Sequence, residues 1–305
     1  MSLTLNVAQP RVKSRTEGRI AATDSPKMGR VLSYPRISRP NRSLERGLSI
    51  LRVFRPGATL RGNSEIAERT GLPRSTVSRL TQTLVACRFL EYDRIANGYR
   101  LGAPVLGLAE AFISGSELLV AAVPLMKYVS DTLRVNASLA VADGDEMVYL
   151  HAVRRRDVGV PRRVMTGHRT PTEMTSLGRA YLATLPARER EILFTGFREK
   201  HRERWGNLER DIRRDMEQVH NEGYCEVNWL PGVTAIATPV QVIGQTYVIS
   251  IGVSTRLFDE ARMRNELAPA LLGLARDLEK AFASQDSKKT VKQRAQQRRV
   301  SPPAE

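Results

Sequence analysis

The sequence predicts an α+β protein of two domains, with a winged helix-turn-helix near the N-terminus and a larger α/β domain behind it. Three observations support this prediction. The chain has 305 residues, enough for two hydrophobic cores. Residues 41–102 contain three short helical patterns followed by a hairpin signal, and residues 118–284 mix helical patterns with β-prone stretches.

The first two helices are predicted from apolar spacing and end signals. The first begins near Ser43 and ends before the breaker pair Pro56-Gly57. Its helical stripe consists of Leu44, Leu48, Leu51 and Phe54. The second is expected to start with Asn63 as N-cap and to end at Gly71, which suits a C-cap.

The third helix is predicted from about Arg74 to Arg88, with Pro73 at its start, where a fixed φ is tolerated. Its inward stripe is Val77, Leu80 and Leu84. A projection at 100° per residue places polar side chains on the opposite face. They are Ser75, Ser78, Arg79 and Gln82.

A β-hairpin is predicted next, because Asn97-Gly98 lies between two short β-prone stretches. Residues 103–117 are then predicted to form a linker helix, with Pro104 in its first turn. Its apolar stripe is Val105, Leu108, Ala109 and Phe112. This stripe could pack on its own domain, but its place between two domains favours a seam between two copies.

The remainder alternates helices and strands. Helices are expected at about 124–134, 176–184, 187–194, 207–222 and 259–282. Strands are expected at about 137–142, 146–153, 160–164, 233–240 and 246–254. A turn at Asp143-Gly144-Asp145 joins the first two strands, and residues 165–175 are predicted to be a loop.

The net charge of +16 lies outside the large domain. Residues 1–40 and 41–102 each carry +6, residues 285–305 carry +4, and the rest is balanced. We interpret 1–40 as a flexible basic arm, 285–305 as a disordered basic tail, and 41–102 as a module that binds a polyanion. A solubilising surface is the alternative, but it would not require such segregation.

The two cysteines, Cys87 and Cys225, are too far apart to suggest a disulfide framework or a zinc site. This usage fits a reducing cytoplasm, and neither a metal nor a cofactor is expected. The longest apolar run, Leu118–Met126, is far shorter than the ~20 residues of a membrane span. No contact with a membrane is therefore expected.

DNA recognition is the function that these patterns favour. A helix inserted in the major groove can distinguish base pairs by their edges, and a bidentate Arg79–guanine contact is the natural specific one. The third helix offers Arg74, Ser75, Thr76, Ser78, Arg79 and Gln82 for bases and phosphates, and the wing offers Arg94, Asn97, Tyr99 and Arg100. Taken singly, each polar residue could also be a solvated surface group.

Three N-terminal segments resemble the IclR family of transcriptional regulators: Arg42–Leu51 (RSLERGLSIL), Ser64–Leu80 (SEIAERTGLPRSTVSRL) and Gly98–Gly102 (GYRLG). The resemblance continues at Gly167–Ala183 (GHRTPTEMTSLGRAYLA) and Pro231–Val240 (PGVTAIATPV), and it covers about residues 41–282. It implies a GAF-like effector domain at 118–284, a homodimer or tetramer, and a double-stranded DNA operator. It also implies repression or activation of a catabolic operon in response to a small organic or aromatic acid.

The same resemblance implies the effector-binding residues Thr170, Ser176, Leu177, Cys225, Ala235, Gly252 and Ser254. The helix start near Ser176 could bind a carboxylate through its backbone N–H groups, although a simple capping turn is equally consistent with the sequence. Two departures from the family pattern favour a larger, more apolar effector such as an aromatic acid. The stretch from Cys225 to Trp229 lacks the acidic cluster common in the family, and Gly252 replaces a frequent serine.

Two other functions stay open at this point. An enzyme acting on a small organic acid would need a catalytic group, but the histidines are isolated and no GxSxG, HExxH, P-loop or GxGxxG occurs. Cys225 near His220 could suggest a nucleophile and base, although a core or pocket thiol is the favoured interpretation. A non-specific DNA-binding protein without an effector would not explain the neutral second domain.

Overall fold

The structure, a computed structural model, describes residues 41–158, 164–256 and 259–283. The basic arm, the basic tail and nearly all of the strand predicted at 160–164 lie outside the described residues. Within them, a helix-turn-helix with a two-stranded wing precedes a six-stranded sheet covered by helices on both faces. The predicted two-domain α+β fold is therefore confirmed.

The N-terminal domain contains helices α1 (Arg42–Leu51), α2 (Asn63–Thr70) and α3 (Arg74–Ala86) and strands β1 (Leu90–Asp93) and β2 (Gly98–Leu101). The two strands pair antiparallel, as the hairpin signal predicted. Its core consists of Ile50, Val53, Phe54, Ile66, Ala67, Val77, Leu90 and Tyr99.

Local capping explains where these helices begin and end. Asn41 caps α1, since its side-chain oxygen accepts hydrogen bonds from the backbone N–H groups of Ser43 and Leu44 at 3.0 and 3.2 Å. The N-cap of α2 is Gly62, so the prediction of Asn63 in that position was wrong by one residue. Gly71 ends α2 with φ of 66°, a left-handed conformation that glycine adopts without a steric penalty, as predicted.

The apolar stripe of α1 does not face its own domain as a whole. Leu44 and Leu48 are 62% and 52% exposed, whereas Ile50 is fully buried. Helical periodicity identifies an apolar face but not the surface that covers it. The described residues of the N-terminal domain leave this part of α1 open to solvent.

Two helices lead out of the N-terminal domain: α4 (Pro104–Ser114) and α5 (Glu117–Leu133). They meet at a bend of 74°. In the described ranges no single helix is long and apolar enough to cross a membrane, and α4 and α5 satisfy the length and composition criteria only as a bent pair. Helix α5 begins earlier than the predicted residue 124, because Pro124 lies inside it rather than near its start.

The C-terminal domain is built on a sheet with the strand order β5-β4-β3-β8-β7-β6. The strands are β3 (Asn136–Asp143), β4 (Glu146–Val153), β5 (Arg169–Pro171), β6 (Cys225–Leu230), β7 (Val233–Val242) and β8 (Gln245–Ser254). All neighbouring strands are antiparallel. Strands β5 and β6 form the two edges, and neither was predicted.

Helices pack on both faces of this sheet. Helices α6 (Ser176–Thr184), α7 (Ala187–His201) and α8 (Trp205–Glu222) cover one face, and α7 is longer than predicted. Helix α5 and a last helix, α9, cover the other. Helix α9 starts at Glu260–Arg262, passes through a π-helical turn at Met263–Leu267 and continues over 268–283.

Candidate functional site

The outer face of α3 is a polar surface that its own domain leaves uncovered. Arg74, Ser75, Arg79 and Gln82 are exposed, and Thr76 and Ser78 are half-buried. The opposite face holds the helix in place, because Val77 is fully buried and the hydroxyl of buried Thr81 donates to the Val77 carbonyl at 2.9 Å. All six candidate residues of α3 therefore belong to one helix whose orientation is set by the core.

The start of α3 can bind an anion. Pro73 occupies the N-cap position, and in the described chain no side chain accepts a hydrogen bond from the first turn of this helix. Free backbone N–H groups and the positive end of the helix dipole attract phosphate. Arg74, exposed at the same end, adds a positive charge.

The wing is held in shape by its own polar groups. Asp93 accepts hydrogen bonds from the backbone N–H groups of Ile95 and Ala96 at 3.0 and 2.9 Å and pairs with Arg100 at 2.9 Å. The backbone hydrogen bond from Ala96, followed by the side-chain hydrogen bond from Arg100, lowers the pKa of the Asp93 carboxyl. Of the four predicted wing residues, Arg94, Asn97 and Arg100 are exposed and Tyr99 is buried, and the last three also make contacts within the N-terminal domain.

Those three residues shape the hairpin. Asn97 adopts φ of 50° at the turn and accepts a hydrogen bond from the hydroxyl of Tyr92. Tyr99 is 9% exposed and packs in the core, while its backbone pairs with Arg61 through hydrogen bonds of 3.0 and 2.8 Å. The prediction of a DNA contact by the Tyr99 side chain does not fit this burial, because the ring is used for packing.

Most of the predicted ligand-binding residues meet on one face of the C-terminal sheet. Directly opposed residues of antiparallel strands share a face. One such row contains Val227, Ala235, Gly252 and Asn136, and the next contains Cys225, Ala237, Ser250 and Ser138. Both rows lie on the α6 side, because Cys225, Val227 and Ala237 belong to the same core cluster as α6.

Small side chains leave space on this face at Gly252. Gly252 is half-buried, and a Cβ atom added to it would meet nothing within 4 Å. The hydroxyls of Ser138 and Ser250 lie 2.7 Å apart in the neighbouring row. The predicted residue Ser254 follows two positions after Gly252 on the same face and is 4% exposed.

The start of α6 lies against these rows. The Cys225 thiol is 3.5 Å from the carbonyl oxygen of Ser176, and Leu177 packs in the same cluster with 1% exposure. Thr175 is the N-cap, and its hydroxyl accepts a hydrogen bond from the Gly178 N–H at 3.3 Å. The structure thus brings together six of the seven predicted residues and adds a cap for the helix.

Thr170 is the exception. It lies on edge strand β5, separated from β8 by β4 and β3, so the sheet does not place it beside Gly252. Its side chain is 1% exposed, and its hydroxyl has no hydrogen-bond partner among the described atoms. Asn136, Ser138 and Ser250 were not among the predicted residues, although the sequences of β3 and β8 show their alternation with buried apolar residues.

Cys225 and His220 do not form a nucleophile–base pair. Cys225 is fully buried, and desolvation, followed by the nearby Asp215 carboxylate, raises the pKa of its thiol. His220 is exposed on α8. A thiol that stays protonated at neutral pH and lies apart from the histidine packs against its neighbours rather than attacking a substrate.

Both domains match profiles of known protein families. The profile described as "IclR helix-turn-helix domain" matches residues 43–94, and "Bacterial transcriptional regulator IclR C-terminal" matches residues 110–280. The HTH-type transcriptional regulator TsaQ1/TsaQ2 of Comamonas testosteroni is 29% identical over 242 residues, which are 78% of this chain and 87% of that protein.

Two solved structures are also similar. An IclR family transcriptional regulator from Brucella abortus is 32% identical, with a TM-score of 0.72 over 78% of this chain and 91% of that one. An IclR homolog from Microbacterium hydrocarbonoxydans, solved in complex with 4-hydroxybenzoate, has the same fold, with 23% identity and a TM-score of 0.61. The match covers 79% of this chain and 99% of the Microbacterium hydrocarbonoxydans chain.

Proposed function

Because the chain belongs to the IclR family of bacterial transcriptional regulators, whose members matched here are regulators and not enzymes, we propose that it binds an operator through α3. The exposed polar face of α3 carries this proposal. In it, Arg79 reads guanine, Ser75, Thr76, Ser78 and Gln82 contact bases or phosphates, and the helix start binds a phosphate. Arg94 and Arg100 of the wing add contacts to the DNA backbone.

The test is the sequence preference of an Arg79→Ala variant. We expect a loss of ~1–3 kcal/mol on the selected operator, with relaxed preference at one base pair, because a bidentate base contact is removed. Arg46→Ala is the matched control, since Arg46 is also exposed but lies on α1. Fluorescence anisotropy on the operator and on single-base variants measures both. An unchanged base preference in Arg79→Ala would exclude Arg79 from sequence readout.

The proposed regulator is a homodimer formed through α4, and the alternative tetramer would be a pair of these dimers. Within the described chain no residue of α4 is buried. The large apolar side chains of Leu106, Leu108 and Phe112 are 73%, 61% and 56% exposed. An apolar cleft of about 320 Å³ adjoins the end of this helix. Leu108 and Phe112 lie four residues apart on one face of α4, and an exposed apolar face of this kind marks an interaction site. Two helix-turn-helix units require pairing to read a pseudo-palindromic operator.

The dimer is tested by placing a charge in this surface. Leu108→Glu would bury a carboxylate in the seam, so we expect the sedimentation coefficient to fall to that of a monomer and operator affinity to fall with it. Glu110→Gln removes a charge from the same helix and serves as control. A Leu108→Glu protein that sediments like the wild type would refute the α4 seam.

The proposed effector is a small organic acid, with an aromatic acid favoured, bound under α6 in the space above Gly252. The space above Gly252 is apolar on the side of Ala235, and the hydroxyls of Ser138 and Ser250 supply polar contacts. Such a mixture of apolar walls and a few polar groups is typical of small-molecule sites. The operon would then be a catabolic one, repressed or activated by its own substrate.

Calorimetry with benzoate, 4-hydroxybenzoate and glyoxylate tests this proposal. 4-Hydroxybenzoate is included because the Microbacterium hydrocarbonoxydans protein was solved with it. Gly252→Val fills the open space and suits a strand, so we expect an unchanged fold but a loss of aromatic-acid binding. Tight binding of glyoxylate alone would contradict the aromatic preference, and equal affinity in Gly252→Val would contradict the location.

A further inference from the structure

The turn between β3 and β4 connects the two domains. Arg55 of the N-terminal domain binds both carboxylate oxygens of Glu146, at 2.6 and 2.9 Å. Arg52, which follows α1, pairs with Asp143 at the other end of the same turn. Two arginines of one domain thus bind the first and last residues of the four-residue turn of the other.

The same turn is also bound by the segment that runs from β5 to the start of α6. The Arg169 guanidinium of β5 contacts Glu146 and Asp143, each at 2.7 Å. The N–H of Thr172 donates to the Asp145 carbonyl at 3.1 Å. Each carboxylate is therefore shared between an arginine of the N-terminal domain and Arg169.

The segment bound by the turn continues directly into α6. Strand β5 ends at Pro171, a 3₁₀ turn spans Thr172–Met174, and Thr175 caps the helix that begins at Ser176. The packing here is tight, because a Cβ atom on Gly178 would lie 1.9 Å from the Thr172 carbonyl oxygen. A shift of α6 over the sheet face must therefore displace the residues that hold the turn.

The network is better protected from water than an ordinary surface pair. The side chains of Glu146 and Arg169 are 18% and 19% exposed, and that of Asp143 is 34% exposed. Burial raises the pKa of both carboxyls, but the hydrogen bonds from Arg52, Arg55 and Arg169 outweigh it and lower their pKa overall. Both groups are ionised at neutral pH, and each carboxylate has two positive partners, which gives the network one more positive charge than negative.

We propose that this turn is the link by which a ligand under α6 biases the orientation of the DNA-binding domain. Arg52 and Arg55 hold that domain in one orientation as long as Asp143 and Glu146 keep their positions, and Arg169 ties those positions to the start of α6. Arg55 is then a positioning residue for DNA binding that need not touch DNA. The inference rests on the proposed function and specifies how its two sites communicate.

Hydrogen exchange measured by mass spectrometry on the full chain tests the link without any ligand. Arg55→Gln changes a side chain of the N-terminal domain that is 42% exposed, so the fold should be retained. We expect exchange at residues 169–177 to become about two- to five-fold faster, because the turn loses one of its anchors. Glu209→Gln, which breaks the Arg213 pair on α8, is the control and should leave this segment unchanged.

A change confined to residues 52–58 in Arg55→Gln would overturn the proposal, because the turn would not transmit the loss. The second arm measures operator affinity with and without 4-hydroxybenzoate. We expect the ratio of the two affinities to move toward one in Arg55→Gln, while calorimetry shows wild-type binding of the acid. A wild-type protein that binds no DNA or no acid would refute the proposed function, whereas the exchange result would still decide the link.

Discussion

Replacing Gly178 by alanine tests whether contact geometry or helix propensity controls the start of α6. Alanine is favoured over glycine inside a helix by about 1 kcal/mol. The added Cβ would, however, lie 1.9 Å from the Thr172 carbonyl oxygen and 2.3 and 2.4 Å from two further backbone atoms of the same residue. Real Cβ contacts are not shorter than 3.0 Å, so the backbone must move by about 1 Å.

That movement is opposed by defined hydrogen bonds. Thr172 is held by the Asp145 carbonyl, and the next carbonyl, that of Glu173, accepts from the Arg179 guanidinium at 3.0 Å. Overpacking of this kind costs about 1–3 kcal/mol and more when the neighbour is backbone. We therefore expect Gly178→Ala to lower the free energy of unfolding by about 1–2 kcal/mol after the propensity gain is included.

The matched control is Gly196→Ala in the middle of α7, where an added Cβ meets nothing within 4 Å. Only the propensity effect applies there, so this variant should be more stable than the wild type by about 0.5–1 kcal/mol. Urea unfolding followed by circular dichroism measures both. If Gly178→Ala were stabilised like Gly196→Ala, the close approach of α6 to Thr172 would be refuted.

Three further outcomes follow from buried and charged groups. In native protein, Ellman's reagent should react with the exposed Cys87 and spare Cys225, whose buried thiol has a raised pKa. Both thiols of each chain should react in urea, and reaction of both in native protein would contradict the burial of Cys225. Asp215→Ala should lower the free energy of unfolding by about 3–5 kcal/mol, because it removes the carboxylate that lies 2.5 Å from the buried Arg179 guanidinium. A loss below about 1 kcal/mol in urea unfolding would contradict that pairing. The Arg155 hydrogen bond lowers the pKa of Asp157 to about 2. The difference in unfolding free energy between wild type and Asp157→Asn should therefore be constant above about pH 5 and decline as the pH falls from about 4 toward 2. A difference independent of pH would exclude this pairing.

The parts of the fold that the sequence predicted well are those with local causes. Gly71 at the end of α2, the turn at Asn97-Gly98 and the start of α6 at Ser176 each follow from residues within a few positions. The polar face of α3 was also predictable, because its buried residues recur at helical spacing.

The parts that were missed depend on contacts distant in sequence. Strand β5 has three residues, Arg169–Pro171, and exists because it pairs with β4; no periodic pattern can be seen in so short a segment. Leu44 and Leu48 were correctly identified as apolar, but their sequence could not show that the domain's own core leaves them exposed. Thr170 was expected to lie with the other predicted effector-binding residues, yet the strand order places it on edge strand β5, separated from β8 by two strands.

The bend between α4 and α5 makes the position of the N-terminal domain depend on the angle between these two helices. Helix α4 has 11 residues and is therefore about 16 Å long. A rotation of about 10° at the bend would move its far end by about 3 Å, close to the ~3.4 Å rise of one base pair. Such a rotation would shift the N-terminal domain relative to the C-terminal one by about the rise of one base pair. If the proposed operator binding holds, the half-site spacing therefore depends on this angle, whereas the base preference rests on α3.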